Sequence, residues 1–275
     1  MASKSFKHPP SQELWLPESY DELTALGEDS LIYQSQSESR KVRRTAPGVV
    51  VKYGGGNFAE EVLAMEFVSC KTSIPIPRIL HVPSDKVWYI CMTAARGTSL
   101  DKCIGSMTTP ELDHIAIQFT EILAQIRSLT RQTLGSVTGG PYRNTYFPAQ
   151  VAPECALEST AQFVDEYRKM LMLFCTAKFT DELLSAFPRD VDVFFSHGDL
   201  LPRNIIVDGS TITAIVDWEL AGFYPEYVEY CQMSREDQKT PNWNYILQSV
   251  FPGEPRQELI HAFHRLTSTI WWTLL

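Results

Sequence analysis

Two aspartates and an asparagine stand out in residues 194–222, which read FFSHGDLLPRNIIVDGSTITAIVDWELAG. Asp199 and Asp217 each lie beside apolar runs long enough to form buried strands, where an unpaired carboxylate would cost several kcal/mol. Together with the carboxamide of Asn204 they would supply hard oxygen ligands of the kind that Mg²⁺ prefers. If the three side chains converge, one carboxylate would remain for proton transfer while the other groups hold the metal ion.

The flanking sequence predicts a hairpin that would bring these side chains together. NIIV and TITAIV lie on either side of an Asp-Gly-Ser turn at residues 208–210, a pattern typical of two antiparallel strands. A hairpin places the start of its first strand and the end of its second strand at one edge, so Asn204 and Asp217 should be neighbours. Asp199 would lie on the loop that leads into the first strand.

The chain from about residue 24 to residue 95 is predicted to consist mainly of strands. Four runs separated by turn residues carry this signal, namely LIYQS, GVVVKYG, PRILHV and VWYICMT. One helix interrupts them, from about Phe58 to Cys70, after the favoured N-cap residue Asn57. Glu60 falls at the third helical position, where it can serve the cap, and this leaves Glu61 as the freer carboxylate.

From residue 96 onward, outside the hairpin segment, helical periodicity replaces strand character. In three segments apolar residues recur at steps of three or four, so each segment should form a helix that packs on a core. The first helix should begin at Thr109 and Pro110. The three apolar stripes are Leu112, Ile115, Phe119, Ile122, Ile126 and Leu129; Phe163, Tyr167, Met170 and Phe174; and Leu259, Phe263, Leu266 and Ile270.

Composition excludes several classes of protein. The chain has 275 residues, 44% of them hydrophobic, which suffices for one large domain or for two lobes. A formal net charge of −9 argues against a nucleic-acid-binding surface, which needs clustered Lys and Arg. The six cysteines include no C-x-x-C pair, and no apolar stretch approaches a membrane span or a signal peptide. We therefore expect reduced thiols, no membrane partner and a cytoplasmic location.

The motifs in this chain resemble those of a known superfold. HGDLLPRN fits the pattern H-x-D-x-x-x-x-N, and IVDWE follows it, as in the catalytic loop and metal-binding aspartate of protein kinases. More specifically, SHGDLLPRN and VDWELAGFYPEYVE resemble the aminoglycoside phosphotransferase and choline kinase family. TSIPIPRIL and LGSVTGGPYRNTYF resemble fungal-type members of that family. The resemblance covers roughly residues 24 to 250.

The resemblance implies an α+β, two-lobed protein-kinase-like fold. After a lead-in over residues 1–20, residues 21–95 would form a nucleotide-binding lobe with a small antiparallel sheet and one helix. Residues 96–275 would form a larger, mainly helical lobe that carries the catalytic β-hairpin and binds the acceptor. The oligomeric state is not predicted.

The resemblance also implies roles for the matched residues. Asp199 would orient or deprotonate the acceptor hydroxyl, and Asn204 and Asp217 would hold Mg²⁺ at the phosphates of ATP. Lys52, which ends the run GVVVK, would contact the α- and β-phosphates, with Glu61 as its partner on the helix.

Further roles follow from the same resemblance. Backbone groups between the lobes, at Met92, Thr93 and Ala95 of ICMTAARG, would bind adenine. His197 would support the catalytic loop by hydrogen bonding and would not act as a base. Glu219 would either help to hold a cation or lie behind the metal ligands.

Three functions remain in competition at this point. The first is an ATP- and Mg²⁺-dependent transfer of the γ-phosphate to a hydroxyl of a small molecule, such as an aminoglycoside, choline, a sugar or a secondary metabolite. The second is a weak or inactive kinase-fold protein with a binding or regulatory role. It is favoured only by the phosphate-loop segment LGEDSLIYQSQSESRKVRR, which contains a single glycine, Gly27. The third is a protein kinase, which the absence of an A-P-E element after Asp217 argues against.

The charge of the acceptor is also open. Four acidic residues near the end of the resemblance could line a site for a cationic acceptor, or they could belong to a solvated face. These residues are Glu226, Glu229, Glu236 and Asp237.

Overall fold

An antiparallel sheet of five strands occupies the first part of the chain. The structure is a computed structural model and describes residues 15–35, 39–83 and 86–274. Within these ranges the strand order is β1-β2-β3-β5-β4, and every neighbouring pair is antiparallel. The five strands are β1 (Leu31–Gln34), β2 (Arg40–Ala46), β3 (Val49–Gly54), β4 (Ile79–His81) and β5 (Tyr89–Thr93). A short helix, α1 (Tyr20–Thr24), precedes them.

Strand β2 was not predicted from the sequence. Its residues, RKVRRTA, are rich in charge and lack the apolar alternation of a half-buried strand. The structure shows why the charge is tolerated, because the guanidinium of Arg43 is buried and donates to the hydroxyl of Tyr53 and to the backbone oxygens of Leu26 and Gly27. A buried arginine with these partners avoids the cost of an unpaired charge.

Most of the remaining elements are helical. The helices are α2 (Phe58–Lys71), α3 (Leu100–Cys103), α4 (Thr109–Ser128), α5 (Thr160–Leu171), α6 (Ala177–Leu184), α7 (Tyr227–Met233), α8 (Pro241–Val250) and α9 (Gln257–Leu274). The strands are β6 (Thr98–Ser99), β7 (Val193–Ser196), β8 (Ile205–Asp208), β9 (Thr211–Ile215) and β10 (Gly222–Pro225). Among the described residues no helix is long and apolar enough to cross a membrane.

The chain divides into two compact units. One contains residues 1–56 and 78–94, and the other contains residues 57–77 and 95–275. The lobe boundary predicted from the sequence, between residues 95 and 96, stays a prediction, and the second unit resumes at residue 95. Helix α2, which we expected in the first lobe, groups with the second unit. The predicted lead-in over residues 1–20 lies mostly outside the described residues, which begin at residue 15.

Helix α2 begins where the sequence predicts. The side chain of Asn57 accepts from the N–H of Glu60, and the helix then runs to Lys71, one residue beyond the predicted end. The prediction that the Glu60 carboxylate serves the cap is wrong, because that carboxylate accepts instead from the hydroxyl of Ser136, at 2.6 Å. Glu61 lies on the buried face of the helix.

The three apolar stripes form helices that pack on a core, with one exception at each of the first two. Helix α4 contains the first stripe to Ile126, and Leu129 is its C-cap. Helix α5 ends at Leu171, so Phe174 falls beyond it and is exposed rather than buried. The chain turns there because Phe174 and Cys175 donate backbone bonds to Leu171. The stripe of α9 is buried throughout.

Two pairs of antiparallel strands flank the two loops that carry Asp199 and Asp217. β8 and β9 form the predicted hairpin, closed by the pair Asp208 and Thr211. β7 pairs with β10, and Ser196 is opposite Gly222 in this pair. One loop, residues 197–204, runs from β7 to β8, and the other, residues 216–221, runs from β9 to β10. Because each loop joins a paired strand at both of its ends, the positions of both loops are fixed.

The Asn57 cap should contribute measurably to stability. Asn57→Ala should lower the free energy of unfolding by about 1 kcal/mol, because the N–H of Glu60 loses its acceptor and the carbonyl of Arg143 loses the Asn57 donor. Urea denaturation would measure the change. Asn57→Asp keeps the acceptor and should restore part of the loss. Equal stability of Asn57→Ala and the unaltered chain would show that this cap does not stabilise α2.

Candidate catalytic site

One buried imidazole joins the two loops of the candidate site. Nδ1 of His197 lies 3.2 Å from the backbone nitrogen of Asp199, and Nε2 lies 3.0 Å from the carbonyl oxygen of Val216. Since the Asp199 amide can only donate, Nδ1 must accept, and the proton of a neutral ring is on Nε2. The ring also packs on Trp218, with 4.4 Å between centroids. His197 therefore positions the backbone at Asp199 and at Asp217, and does not present a free base to a substrate.

Side chains of helix α7 hold the same loop, residues 197–204, by hydrogen bonds. The carboxylate of Glu229 accepts from the backbone N–H groups of His197 and Gly198. The carbonyl of Gly198 accepts from Nε2 of Gln232, at 3.0 Å, and from the hydroxyl of Tyr146, at 2.7 Å. Both peptide groups around Gly198 are thus held by side chains, which makes the loop rigid.

The loop requires glycine at position 198. Its φ is +81°, and a Cβ there would lie 2.6 Å from the backbone oxygen of Leu220. Both the left-handed backbone and the close approach exclude a side chain. This accounts for a glycine in HGD, where protein kinases have arginine.

The carboxyl group of Glu229, which holds this loop, has a pKa near neutral pH. Burial raises the pKa of the Glu229 carboxyl to about 7, although the backbone N–H groups of Gly198, His197 and Leu200 act in the opposite direction. The nearby Asp199 raises it further. One carboxyl oxygen, Oε1, has no hydrogen-bond partner among the described residues, which fits a group that carries a proton at mildly acidic pH.

Asp199 is buried and has a defined set of partners. Nη2 of Arg203 lies 2.7 Å and 2.6 Å from its two carboxylate oxygens, and Nδ2 of Asn204 lies 2.8 Å from Oδ2. Burial raises the pKa of Asp199, Arg203 lowers it, and Asp217 raises it. A carboxylate whose affinity for protons is raised in this way is suited to accept one from a hydroxyl group.

Asn204 is oriented so that its carbonyl oxygen is available. Its Nδ2 donates to the backbone oxygen of Asp199 as well as to the carboxylate, each at 2.8 Å. Its Oδ1 accepts no hydrogen bond from the part of the chain that the structure describes. An amide oxygen directed in this way is a suitable ligand for a hard cation.

Asp217 has an unusual backbone conformation. Its φ and ψ are 69° and 59°, and it is the only non-glycine residue with positive φ among those described. Such a conformation persists when neighbours impose it, and here the hydrogen bonds of Val216 to Asn204 and to His197 do so. Trp218 adds a bond from its indole N–H to the carbonyl of Ile215. The strain lies at the residue that the sequence analysis assigned to metal binding.

Three carboxylates converge at Asp217. Oxygen atoms of Glu61, Asp217 and Glu219 lie within 4.8 Å of one another, and Glu61 is buried. Like charges this close repel unless a cation offsets them. Carboxylate oxygens are also the ligands that Mg²⁺ prefers, so this group of residues fits the metal ion that the sequence analysis implied.

The remaining predicted residues lie in the first unit or at its end. Lys52 is a buried residue of β3, Met92 and Thr93 belong to β5, and Ala95 begins the next segment of the second unit. The backbone N–H of Thr93 donates to Arg78. The pairing of Lys52 with Glu61 stays a prediction, because Lys52 belongs to the first unit and Glu61 to the second. The adenine contacts of Met92, Thr93 and Ala95 also stay predictions.

Sequence reasoning missed several residues of the site. Arg203 lies inside the quoted motif HGDLLPRN, yet its bond to Asp199 was not anticipated. Glu229 and Gln232 are polar residues three positions apart on an otherwise buried helix, a signal that could have identified a polar contact inside the fold. Glu61 was assigned to Lys52 alone, whereas the structure brings it to Asp217 and Glu219.

Comparison with protein families gives a match over most of the chain. The model described as the phosphotransferase enzyme family matches residues 57–266. These residues include Asp199, Asn204 and Asp217. A comparison with curated protein sequences gives no significant match.

Solved structures show the same fold at low sequence identity. A choline/ethanolamine kinase family protein from Mesorhizobium loti has 19% identity and a TM-score of 0.56, over 88% of this chain and 78% of that chain. Aminoglycoside phosphotransferase APH(2'')-Ib with bound ADP has 12% identity and a TM-score of 0.63, over 93% and 90%. The streptomycin–ATP complex of APH(2'')-IIa has 13% identity and a TM-score of 0.61, over 88% and 86%. The kinase-like fold is thereby confirmed.

Titration of Glu229 should be visible in stability. Its folded-state pKa of about 7 exceeds the ordinary value of 4.5, so the folded state retains a proton that the unfolded chain loses as pH rises between these values. The stability of the unaltered chain relative to Glu229→Gln should therefore fall by roughly 2 kcal/mol from pH 5 to pH 8. Urea denaturation across this range would measure it. The exposed Glu154→Gln serves as control, and a pH-independent difference for Glu229→Gln would rule out the raised pKa.

Proposed function

This chain belongs to the phosphotransferase enzyme family and is a small-molecule kinase, and we propose that it transfers the γ-phosphate of ATP, with Mg²⁺, to a hydroxyl group. One observation carries the proposal. The buried Asp199 carboxylate, with a raised pKa, is held next to an asparagine whose oxygen is available, and Asp217 follows at the end of the hairpin. A proton acceptor and a set of hard ligands are what phosphoryl transfer requires of the protein.

Asp199 is the proposed catalytic base. It accepts the proton of the acceptor hydroxyl, or aligns that hydroxyl, while Arg203 holds both carboxylate oxygens in place. The Asp199 backbone is fixed by His197, and the side chain is fixed by Asn204, so the carboxylate keeps one orientation. Positioning of this kind removes much of the entropic cost of bringing the two reactants together.

Asn204 and Asp217 are the proposed metal ligands, with Glu219 and Glu61 as further candidates. Their oxygen atoms are suited to Mg²⁺, which would neutralise charge on the nucleotide phosphates. The left-handed backbone of Asp217 determines where its carboxylate lies. Glu61 lies on helix α2, whose start is fixed by the Asn57 cap.

The first unit is the proposed nucleotide-binding part. Lys52 would contact the α- and β-phosphates from β3, and backbone groups at Met92, Thr93 and Ala95 would bind adenine. These assignments rest on the match to the kinase motifs, whereas the proposed relation to fungal-type members rests on the segments TSIPIPRIL and LGSVTGGPYRNTYF. The acceptor is a hydroxylated small molecule.

Asp199→Asn tests the proposed base. Asparagine keeps the shape of the side chain but cannot accept the proton, so kcat should fall by about 10²- to 10⁴-fold. KM for Mg²⁺-ATP should stay within about threefold, because Asp199 is not a metal ligand in this proposal. Production of ADP with an acceptor found by screening hydroxylated metabolites would measure both. Asp181→Asn, an exposed aspartate paired with Arg168, is the matched control. Unchanged kcat in Asp199→Asn would exclude the assigned base.

Asp217→Asn tests the metal site. Asparagine tolerates the left-handed backbone at this position, so the fold should be kept while one charge of the ligand set is lost. Mg²⁺-ATP should raise the melting temperature of the unaltered chain more than ATP with EDTA does, and this difference should largely disappear in the variant. Asp165→Asn, paired with Arg189 on the surface, is the control. An equal Mg²⁺-dependent shift in Asp217→Asn would show that the metal is held elsewhere.

A further inference from the structure

The run LGSVTGGPYRNTYF, residues 134–147, forms a bridging segment in the chain between helices α4 and α5. It contacts two elements of its own unit, namely the N-terminus of α2 and the residues that follow Glu219. These two elements adjoin the group of Glu61, Asp217 and Glu219, whose carboxylate oxygens are the candidate ligands for Mg²⁺. The bridging segment is therefore placed to determine how this group is assembled.

Two hydrogen bonds join the N-terminus of α2 to the bridging segment. The buried hydroxyl of Ser136 donates to the carboxylate of Glu60, at 2.6 Å, and Nδ2 of Asn57 donates to the carbonyl of Arg143, at 2.7 Å. Asn57 and Glu60 are three positions apart, so their side chains lie on one face of the helix. Two bonds on the same face fix the rotation of this turn about the helix axis.

The other end of α2 is held by aromatic packing. The ring of Phe67 lies 5.3 Å from the ring of Phe195 in β7 and 5.9 Å from the ring of Phe223 in β10. Phe67 follows Glu61 by more than one and a half turns of the helix. The first turn of α2 is therefore positioned by its own contacts, which include the two bonds to the bridging segment.

The bridging segment also holds the chain that follows Glu219. Gly135 and Phe223 exchange backbone hydrogen bonds, at 3.1 Å and 2.9 Å. Nδ2 of Asn144 lies 3.4 Å from the carbonyl oxygen of Leu220. One segment thus holds the chain on both sides of the carboxylate group.

Glu60 and Glu61 are adjacent in the sequence but have different neighbours. The Glu60 carboxylate is held by Ser136. An oxygen of Glu61 lies within 4.8 Å of oxygens of Asp217 and Glu219. Successive helical residues are about 100° apart around the axis, so a turn that presents Glu60 to the bridging segment directs Glu61 elsewhere. Repulsion acts to separate three carboxylates, so contacts elsewhere in the chain must hold them together for a cation to bind.

We propose that Ser136 is a positioning residue of the metal site: by holding Glu60, it places Glu61 beside Asp217 and Glu219 as a ligand for Mg²⁺. The inference rests on the proposed function, since it concerns the metal site of that reaction. Groups that orient metal ligands change metal affinity by about 10- to 100-fold when they are removed. Ser136 acts in this way through Glu60 and the first turn of α2.

Binding of Mn²⁺ without nucleotide tests this role. Mn²⁺ takes the same oxygen ligands as Mg²⁺, and electron paramagnetic resonance measures free Mn²⁺ during a titration. The unaltered protein should bind Mn²⁺ at a site from which Mg²⁺ displaces it, and Ser136→Ala should raise the Kd by about tenfold. Thr160→Val is the matched control, because it removes a buried hydroxyl that donates to the carbonyl of Arg189, at 2.6 Å. It should lower the melting temperature to a similar extent and leave the Kd unchanged.

Substitution of the two glutamates separates positioning from ligation. Glu60→Gln keeps an oxygen that accepts from Ser136, so the Kd for Mn²⁺ should stay within about threefold, since a charge that does not ligate the ion contributes little in water. Glu61→Gln removes a proposed ligand and should raise the Kd at least as much as Ser136→Ala does. Equal effects of Glu60→Gln and Glu61→Gln would show that Glu60 itself holds the metal, and would overturn the inference.

Three further results would overturn it. These are an unchanged Kd in Ser136→Ala, an equal rise in the Kd for Thr160→Val, and no binding of Mn²⁺ by the unaltered protein.

Failure of the inference can be told apart from failure of the proposed function. If Mn²⁺ binding depends on Ser136 but Mg²⁺-ATP is consumed with no hydroxylated acceptor, the proposed reaction is wrong and the positioning of the metal site remains. If transfer occurs, the Mg²⁺ concentration for half of the maximal rate should rise about tenfold in Ser136→Ala, with kcat at saturating Mg²⁺ within about threefold. Transfer with an unchanged Mg²⁺ requirement in this variant would leave the function standing and show that the inference alone is wrong.

Discussion

The site depends on the bridge that the neutral imidazole of His197 makes between two loops. One ring nitrogen accepts from the backbone of Asp199, and the other donates to the carbonyl of Val216, next to Asp217. Each of these backbone groups would cost about 1–3 kcal/mol if it were buried without a partner. The bridge therefore does more than orient one residue. It fixes the separation of the proposed base from the proposed metal ligand, and it helps to impose the left-handed backbone of Asp217.

Charge is the second constraint on this part of the molecule. Glu61, Asp217 and Glu219 bring carboxylate oxygens within 4.8 Å, and the charge of Asp217 also raises the pKa of Asp199. Arg203 compensates Asp199 from one side. A divalent cation held by Glu61, Asp217 and Glu219 would offset the repulsion between these carboxylates, so their closeness favours metal binding.

Local patterns predicted much of the fold and part of the site. The β8–β9 hairpin and the N-terminus of α2 follow from turn and capping chemistry, which lies within a few residues, and the sequence located both. The spacing and the hairpin predicted that Asp199, Asn204 and Asp217 lie close together, and the structure has Asn204 bonded to Asp199 and the neighbour of Asp217, Val216, bonded to Asn204. Their catalytic and metal-binding roles stay predictions. Contacts between distant segments were not predictable. The Glu60 carboxylate accepts from the hydroxyl of Ser136 instead of serving the helix cap. Arg43 of β2 is stabilised by backbone oxygens of Leu26 and Gly27, which no local pattern reveals.

The same limit explains why the acceptor is hard to read from sequence. The solved structures share the fold at 12–19% identity, so likeness to them says little about which acceptor this chain binds. Helix α7 holds the catalytic loop at Gly198 through the side chains of Glu229 and Gln232. Changes in α7 would therefore alter the geometry of the catalytic loop, which restricts how far this helix can vary without loss of the proposed reaction.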